Sequence, residues 1–318
     1  MSSIKDRLKN GKATKGVYRV VSKIYNYKYR FYEDEKFAKE IYKKKMGKNL
    51  NLENPKTLDE KLWWLKFNYR NPLMTMCVDK YWAREYVKSC GYEDILNELY
   101  GVYEKVDDIN FNKFKGKRVF LKCNHRSGSN AIYDDSKPFD KKKFKKNFSA
   151  ALNSNYYYLY REWPYKNVKP LIVCEKVLET DEKSGLVDYR FVCFHGKVKY
   201  VLVDIDTCAE DGTHADDSTS NVYDREFNLK KGYIFNMENF DEKLVRKPKN
   251  YDKMLEIAEK LSKPFPYVRV DLYNIKGKII FGEMTFFNRA GMNPNIQPKL
   301  FADDLANSID LKKIVVKK

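Results

Sequence analysis

The chain has 318 residues, 43% of them hydrophobic and a third charged, with 62 Lys and Arg against 44 Asp and Glu, a formal charge of +18. That length supports one to three domains with a sizeable core, and the charge suits polyanionic partners such as nucleotide phosphates, acidic glycans, anionic membrane surfaces or nucleic acid. No apolar stretch reaches the roughly 20 residues of a membrane span, Met1–Asp6 has no leader-like apolar core, and the six cysteines form neither a C-x-x-C pair nor a zinc pattern, so a reducing, cytoplasmic setting is expected.

Residues 1–50 hold 15 Lys and Arg against 5 Asp and Glu. Val17, Val20, Val21, Ile24 and Phe31 fall at helical spacing, so a basic amphipathic helix is expected, packed on the protein or lying on a membrane. Asn54–Lys61 reads as a turn and helix start, with Thr57 as N-cap and Glu60 as its capping-box partner. A second helix is expected from Asp79 to about Cys90, stopped by Gly91. Arg118–Cys123 is a short apolar strand running into the small polar loop 124–130. The lysine-rich stretch 140–153 reads as a helix and 169–177 as a strand. Alternation over 187–205 gives a hairpin turning at His195–Gly196, followed by a polar loop or lid over 206–220. A helix over 251–262 precedes a second hairpin, Val268–Tyr273 and Lys278–Thr285, joined through Asn274–Gly277. This order is α+β with mainly antiparallel sheets.

Several residues carry candidate chemistry. Lys122 ends a strand beside a loop of Ser, Gly and Asn, whose small residues let backbone N–H groups approach phosphate oxygens; a solvated lysine before a turn is the plainer alternative. Asp271 and Glu283 sit on the two strands of one hairpin and can share a face. Two such carboxylates repel unless a cation bridges them, and hard oxygen ligands suit Mg²⁺. Arg269 lies on the Asp271 face, so a surface ladder Arg269–Asp271–Glu283 is the competing reading. Asp188 with Arg190, and Glu175 at the end of an apolar strand, are further candidates. No histidine has a partner at a defined spacing, so none is assigned to catalysis.

Six phrases in this order resemble the TupA-like branch of the ATP-grasp superfamily: Asn54–Leu62, Asp79–Val87, Phe120–His125, Asp188–Phe191, Arg269–Tyr273 and Phe281–Phe286. The resemblance covers about residues 50–311. It implies an ATP-grasp fold, two α+β subdomains clasping ATP, with a basic helical segment at 1–50, a mainly helical subdomain at 51–117, a lid subdomain at 118–185 and a catalytic subdomain at 186–318. It also implies roles. Lys80 and Lys122 would grip ATP phosphates, and the loop with Asn124, Ser127, Gly128 and Ser129 would fold over them. Glu175 would accept from the adenine amine, with the backbone from Lys176 to Leu178 as hinge. Asp188 would meet the ribose and Arg190 the phosphates. Asp271, Glu283 and Thr285 would hold Mg²⁺, and Arg269, with backbone N–H groups near Gly291, would stabilise an oxyanion. Thr285 departs from the Asn common at its place, and Asn288 could substitute for it.

The activity implied is an Mg·ATP-dependent carboxylate–amine ligase working through an acyl phosphate, with an amino acid and an acidic cell-envelope or capsular glycan as substrates and no nucleic-acid partner. Two other readings stand beside it. The charge and the aromatics would also suit a non-catalytic nucleic-acid or polyanion binder. Asp204-Ile205-Asp206 fits the D-x-D of a glycosyltransferase in the same type of pathway.

Overall fold

The computed structural model describes residues 29–181 and 184–316. The apolar stripe Val17–Ile24 lies outside them, and Phe31, the last member of that stripe, is exposed. Helix α1 (Asp34–Met46) buries Phe37, Ala38, Ile41 and Tyr42 against Trp63, Ala290 and Met292. Arg161 fixes its start by an ion pair to Asp34 at 2.7 Å.

Helix α2 (Leu58–Asn68) begins with the expected capping box: the Glu60 N–H donates to Thr57 Oγ1 at 3.3 Å, and the Thr57 N–H to Glu60 Oε2 at 3.0 Å. A short helix α3 (Pro72–Val78), not foreseen, follows with Asn71 as its cap. Helix α4 (Ala83–Ser89) is shorter than expected at its start. The Asp79 carboxylate accepts from the N–H groups of Tyr81 and Trp82 and so holds residues 79–82 in a turn.

Two antiparallel sheets follow. The first has the order β1-β4-β2-β3, from β1 (Leu99–Tyr103), β2 (Arg118–Cys123), β3 (Asn130–Asp134) and β4 (Ile172–Lys176). Helix α5 (Lys141–Leu152) covers it, burying Phe144 and Phe148 with Val119, Leu121 and Tyr133, and the one-turn helix α6 (Tyr157–Tyr160) leads toward β4. The second sheet has the order β7-β6-β5-β8-β9, from β5 (Asp188–Phe194), β6 (Lys197–Ile205), β7 (Thr219–Asp224), β8 (Tyr267–Ile275) and β9 (Lys278–Thr285). Helix α7 (Tyr251–Ser262) presents the expected face, with Met254, Ile257, Ala258 and Leu261 buried in the same core as Phe191, Val268 and Val270. Helix α8 (Lys299–Asn307) closes that core with Phe301 and Leu305.

Both expected hairpins form, each around a pair of residues with positive φ: His195–Gly196 and Lys276–Gly277. Such turns match the right-handed twist of the strands they join. Each hairpin also carries one bulge. Near the first turn Cys193 pairs Val198, but farther along Val192 pairs Tyr200. In the second, Leu272 pairs Phe281 while Asp271 pairs Glu283, leaving Gly282 as the extra residue. The expected boundary at 117/118 falls within one packing unit, because β1 pairs with β4. Helices α2 to α4 share their core with the second sheet.

Candidate active site

One face of the second sheet packs on α7; the other carries charge. Residues directly opposite in antiparallel strands share a face, and the register places Arg190, Asp271 and Glu283 in one row across β5, β8 and β9. Asp204 and Asp188 form the next row on one side, and Arg269 and Thr285 on the other. The two bulges create this arrangement. Had the pairing near each turn continued unbroken, Gly282 would oppose Asp271 and Val203 would oppose Asp188, sending Glu283 and Asp204 to the far face.

The cluster is a dense ion network. Arg269 chelates Asp271, its Nε donating to Oδ1 at 2.6 Å and a terminal N–H to Oδ2; it also reaches Glu283 at 3.3 Å, Thr285 Oγ1 at 3.1 Å and Asn288 Oδ1 at 3.0 Å. Arg190 donates to Asp188 Oδ2 at 2.8 Å, pairs with Asp204 at 2.6 Å and approaches Asp271 at 3.8 Å. Burial opposes the Arg190 charge, and Asp188, Asp204 and Asp271 together more than restore it, keeping the guanidinium protonated. Burial pushes the Asp271 carboxyl up, against the pull of Arg269. For Glu283 burial also works upward, but Lys80, Arg269 and Arg190 outweigh it and hold the carboxyl down at about 2. The Glu283 side chain is 41% exposed, so this ionised carboxylate faces open space. Asp188 Oδ1 is buried and has no hydrogen-bond partner among the described residues.

The first sheet supplies Lys122, and helix α4 with the turn before it supplies Arg84 and Lys80. Lys122 and Glu175 pair at 2.7 Å, and Arg84 takes the other Glu175 oxygen at 3.2 Å. The Lys176 N–H donates to Glu98 O and its carbonyl accepts from Asn97, so this hinge backbone is anchored to the approach to β1; Leu178 follows, half-buried. Lys80 joins the two halves: its Nζ donates to the Arg126 carbonyl at 3.3 Å and lies 3.5 Å from Glu283.

The loop after β2 splits in two. Asn124 is fully buried, and its side chain contacts Asp79, Lys169 O and the Leu171 N–H. That amide is spent on the fold and does not face the cleft, which corrects its expected contact with nucleotide. Ser127 and Gly128 are exposed and Ser129 half-buried. The loop 206–218 folds back over this segment: the Ile132 N–H donates to Asp211 O at 3.0 Å, and His214 lies 3.5 Å from Ser127 Oγ.

Sequence reasoning passed over Arg84, and weighed Asp204 only as half of a D-x-D. Asp204 is fully buried between Arg190 and the Ser220 hydroxyl, while Asp206 is exposed beyond the strand end. Asp204 was recognisable as an acid inside the apolar run Val201–Ile205. Arg84 gave no such signal, because its partner lies 91 residues away. Thr285 is half-buried, its hydroxyl donating to Glu283 Oε1 at 3.2 Å.

The described residues contain no group of three or more His, Cys, Asp or Glu side chains able to enclose a metal, and no helix among them is long and apolar enough to cross a membrane. A cavity of about 1250 Å³ lies to one side, between α5, β3 and the loop 206–218.

Among solved structures, the chain is similar to D-alanine–D-alanine ligase from Bacillus anthracis complexed with ATP, at 15% identity over 74% of this chain and 63% of that one, with a TM-score of 0.40. It is also similar to D-alanine–D-alanine ligase from Helicobacter pylori, at 15% identity over 80% and 69% and a TM-score of 0.41. Biotin carboxylase from Campylobacter jejuni, in a complex with β,γ-ATP, matches at 12% identity over 74% and 45% and a TM-score of 0.41. The chain thus spans less than two thirds of the first of these, and no curated protein sequence matches it. The model of the TupA-like ATP-grasp family matches residues 60–309, which takes in both sheets and every charged residue of the cluster that spans them, and the chain belongs to that family.

Proposed function

We propose that the protein is an ATP-dependent carboxylate–amine ligase that forms its product through an acyl phosphate and releases ADP. The observation that carries this reading is the bridge made by Lys80, which sets the phosphate-loop carbonyl of Arg126 and the Glu283 carboxylate around one ammonium group. Lys122 on the first sheet, Lys80 before α4 and the acid row on the second sheet, with Glu283 held ionised, then face a common space.

Phosphoryl transfer asks a protein for alignment and charge neutralisation more than for covalent help. Lys80 and Lys122 neutralise the phosphates, and Arg190, kept charged by three acids, adds a third cation. The orphaned Asp188 Oδ1 is a ready acceptor for a ribose hydroxyl. Asp271 and Glu283, directly paired in register, with Thr285 or the Asn288 amide oxygen, form the hard-oxygen set that suits Mg²⁺. Two carboxylates without a third agree with that ion, which completes its shell from substrate phosphates and water. Bound there, Mg²⁺ would supply charge neutralisation at the transferring phosphoryl group. Arg269 orients both acids and offers N–H groups to an oxyanion.

The amine and carboxylate substrates belong to the same proposal: an amino acid and an acidic glycan, for which the charge of +18 gives an attractive field. The test is incubation with Mg·ATP and paired amines and carboxylates, amino acids and uronic-acid oligosaccharides included. ADP and phosphate should form only with a productive pair. AMP and pyrophosphate would overturn the acyl-phosphate route. Glycosyl transfer from a nucleotide-sugar without ATP turnover, or tight nucleic-acid binding without ATP turnover, would overturn the ligase reading.

A further inference from the structure

The cavity of about 1250 Å³ between α5, β3 and the loop 206–218 exceeds the ~300–1,000 Å³ of an ordinary small-molecule cleft, so it has room for an oligomeric ligand. Its walls are tied together. The Ile132 N–H of β3 donates to Asp211 O at 3.0 Å, and Gly212 lies so close to β3 that a Cβ there would stand 3.0 Å from Ile132 N. Arg126, Gly128 and Ser129 of the phosphate loop also line it. Arg126 belongs to both spaces. Its carbonyl accepts from Lys80 Nζ at 3.3 Å, and its side chain donates to Ser154 Oγ, another lining group, at 2.7 Å. The Arg126 Nε is buried without a hydrogen-bond partner among the described residues. A ligand in the cavity is thus one residue away from the ammonium group that bridges to Glu283.

The charges of the lining are mixed, and the mixture is selective. Lys137, Lys143 and Lys146 are exposed there and have no ion-pair partner among the described residues. Lys145, on the same helix but outside the lining, pairs instead with Asp107 at 2.5 Å. Four acids share the cavity. Asp134 pairs with Arg118 at 3.3 Å, Asp140 accepts from the Lys143 N–H at 2.8 Å, Asp211 accepts from the Thr213 N–H at 3.0 Å, and Glu210 is exposed. A nucleic acid would bring phosphates against all four carboxylates, and no fully exposed aromatic ring lines the cavity for a base to stack on. A glycan of uronic-acid type suits both signs: its carboxylates meet free ammonium groups, and its hydroxyls donate to the acids and bond to lining amides and hydroxyls.

We propose that this cavity is the binding site of the acidic glycan substrate, with Lys137, Lys143 and Lys146 holding its carboxylates and Arg126 standing where the chain turns toward the cleft. The inference rests on the ligase reading for the reaction that follows, and it adds where the glycan lies.

The probes are hexamers of galacturonate, hyaluronate and alginate, each beside its carboxyl-reduced form, titrated calorimetrically into full-length protein with saturating Mg·ADP. At least one acidic hexamer should bind the wild type, and its reduced form at least about tenfold more weakly. Lys143→Glu with Lys146→Glu should keep the Mg·ADP-induced rise in melting temperature and weaken the acidic hexamer at least about tenfold. The matched control, Lys141→Glu with Lys142→Glu, makes the same change of charge on the same helix outside the lining and should cost less than about threefold. No binding by any acidic hexamer, or equal binding of acidic and reduced forms, would overturn the site. So would equal losses in the two double variants, which would assign the attraction to the general field of the protein. Single-stranded DNA that binds more tightly than every hexamer and loses affinity only in Lys143→Glu with Lys146→Glu would make the cavity a nucleic-acid site instead. The Mg·ADP response is read separately: its absence in the wild type would remove the ligase reading, while the hexamer titrations still decide the cavity.

Discussion

Lys122, Asp271 and Glu283 each stand in a charge network that holds them in place without exhausting them. Replacing any one by a neutral residue of similar or smaller size should leave the fold and remove ATP turnover. Lys122→Ala, Asp271→Asn and Glu283→Gln are each expected to lower kcat by ~10²–10³-fold, since preorganised charge at phosphates commonly contributes that much. Circular dichroism alongside ADP formation checks both halves of the statement, and near-normal turnover in all three would displace the site. His125 makes a different kind of prediction. It is buried, with Nδ1 3.2 Å from Asn124 Oδ1 and Nε2 3.1 Å from Ala151 O, and burial lowers its pKa to about 4. A folded-state value below the unfolded one means that the unfolded chain binds the proton first. The stability it contributes is therefore complete above about pH 6.5 and is lost as pH falls through 4, by up to about 3 kcal/mol. Urea midpoints of the wild type should fall more steeply over that window than those of His125→Gln. Parallel curves would show that His125 is not the group involved.

At the scale of elements, legibility followed position in the sheet. The strands read from the sequence include all five interior ones, whose apolar runs are long because neighbours cover them on both sides. The three strands not foreseen, β1, β3 and β7, are all edges. An edge strand pairs on one side only, and sequences such as Asn130–Asp134 and Thr219–Asp224 accordingly mix polar residues into a weak pattern. Turns were readable because positive φ selects glycine, as at Gly196 and Gly277. The bulges were not, although they decide which face each acid takes. Gly282 permits one of them: a Cβ there would lie 3.0 Å from the Asp271 carbonyl oxygen and 3.2 Å from the Tyr273 ring. Gly282→Ala should therefore push β9 away from β8, separating Glu283 from Asp271. The expected result is loss of most ATP turnover at a stability cost of about 1–3 kcal/mol. Retained turnover in a stable variant would mean that the register tolerates the methyl group.

On the scale of the whole molecule, charge is unevenly spread. Residues 1–28 carry eight Lys and Arg against one Asp, a large part of the excess of +18. Helix α1 is instead committed to the core through Phe37, Ile41 and Tyr42. Two truncations separate these roles. If residues 1–28 attach the protein to a membrane, removing them should leave melting and Mg·ATP binding unchanged but abolish sedimentation with anionic vesicles at low salt, since each basic residue near such a surface is worth about 1 kcal/mol; a drop in melting temperature would instead show that they pack on the protein. Removing residues 1–46 should expose Trp63 and its neighbours and destabilise the fold by several kcal/mol, at roughly 1.5–3 kcal/mol for each large apolar side chain lost. Full-length protein that ignores such vesicles would end the membrane idea.

The sequence by itself determined the α+β class, the two hairpins, the helix over 251–262, the capping box of α2 and the identity of most charged residues in the cleft. Each of these depends on neighbours within a turn or two of chain, where periodicity and residue type suffice. Only the tertiary structure decided that Asn124 faces inward, that Arg84 shares Glu175 and that Asp204 supports Arg190. These outcomes depend on which strands lie side by side and where a bulge resets their register. The free energy that selects them comes from burying whole surfaces of the two sheets and their helices, and no local stretch of sequence carries it.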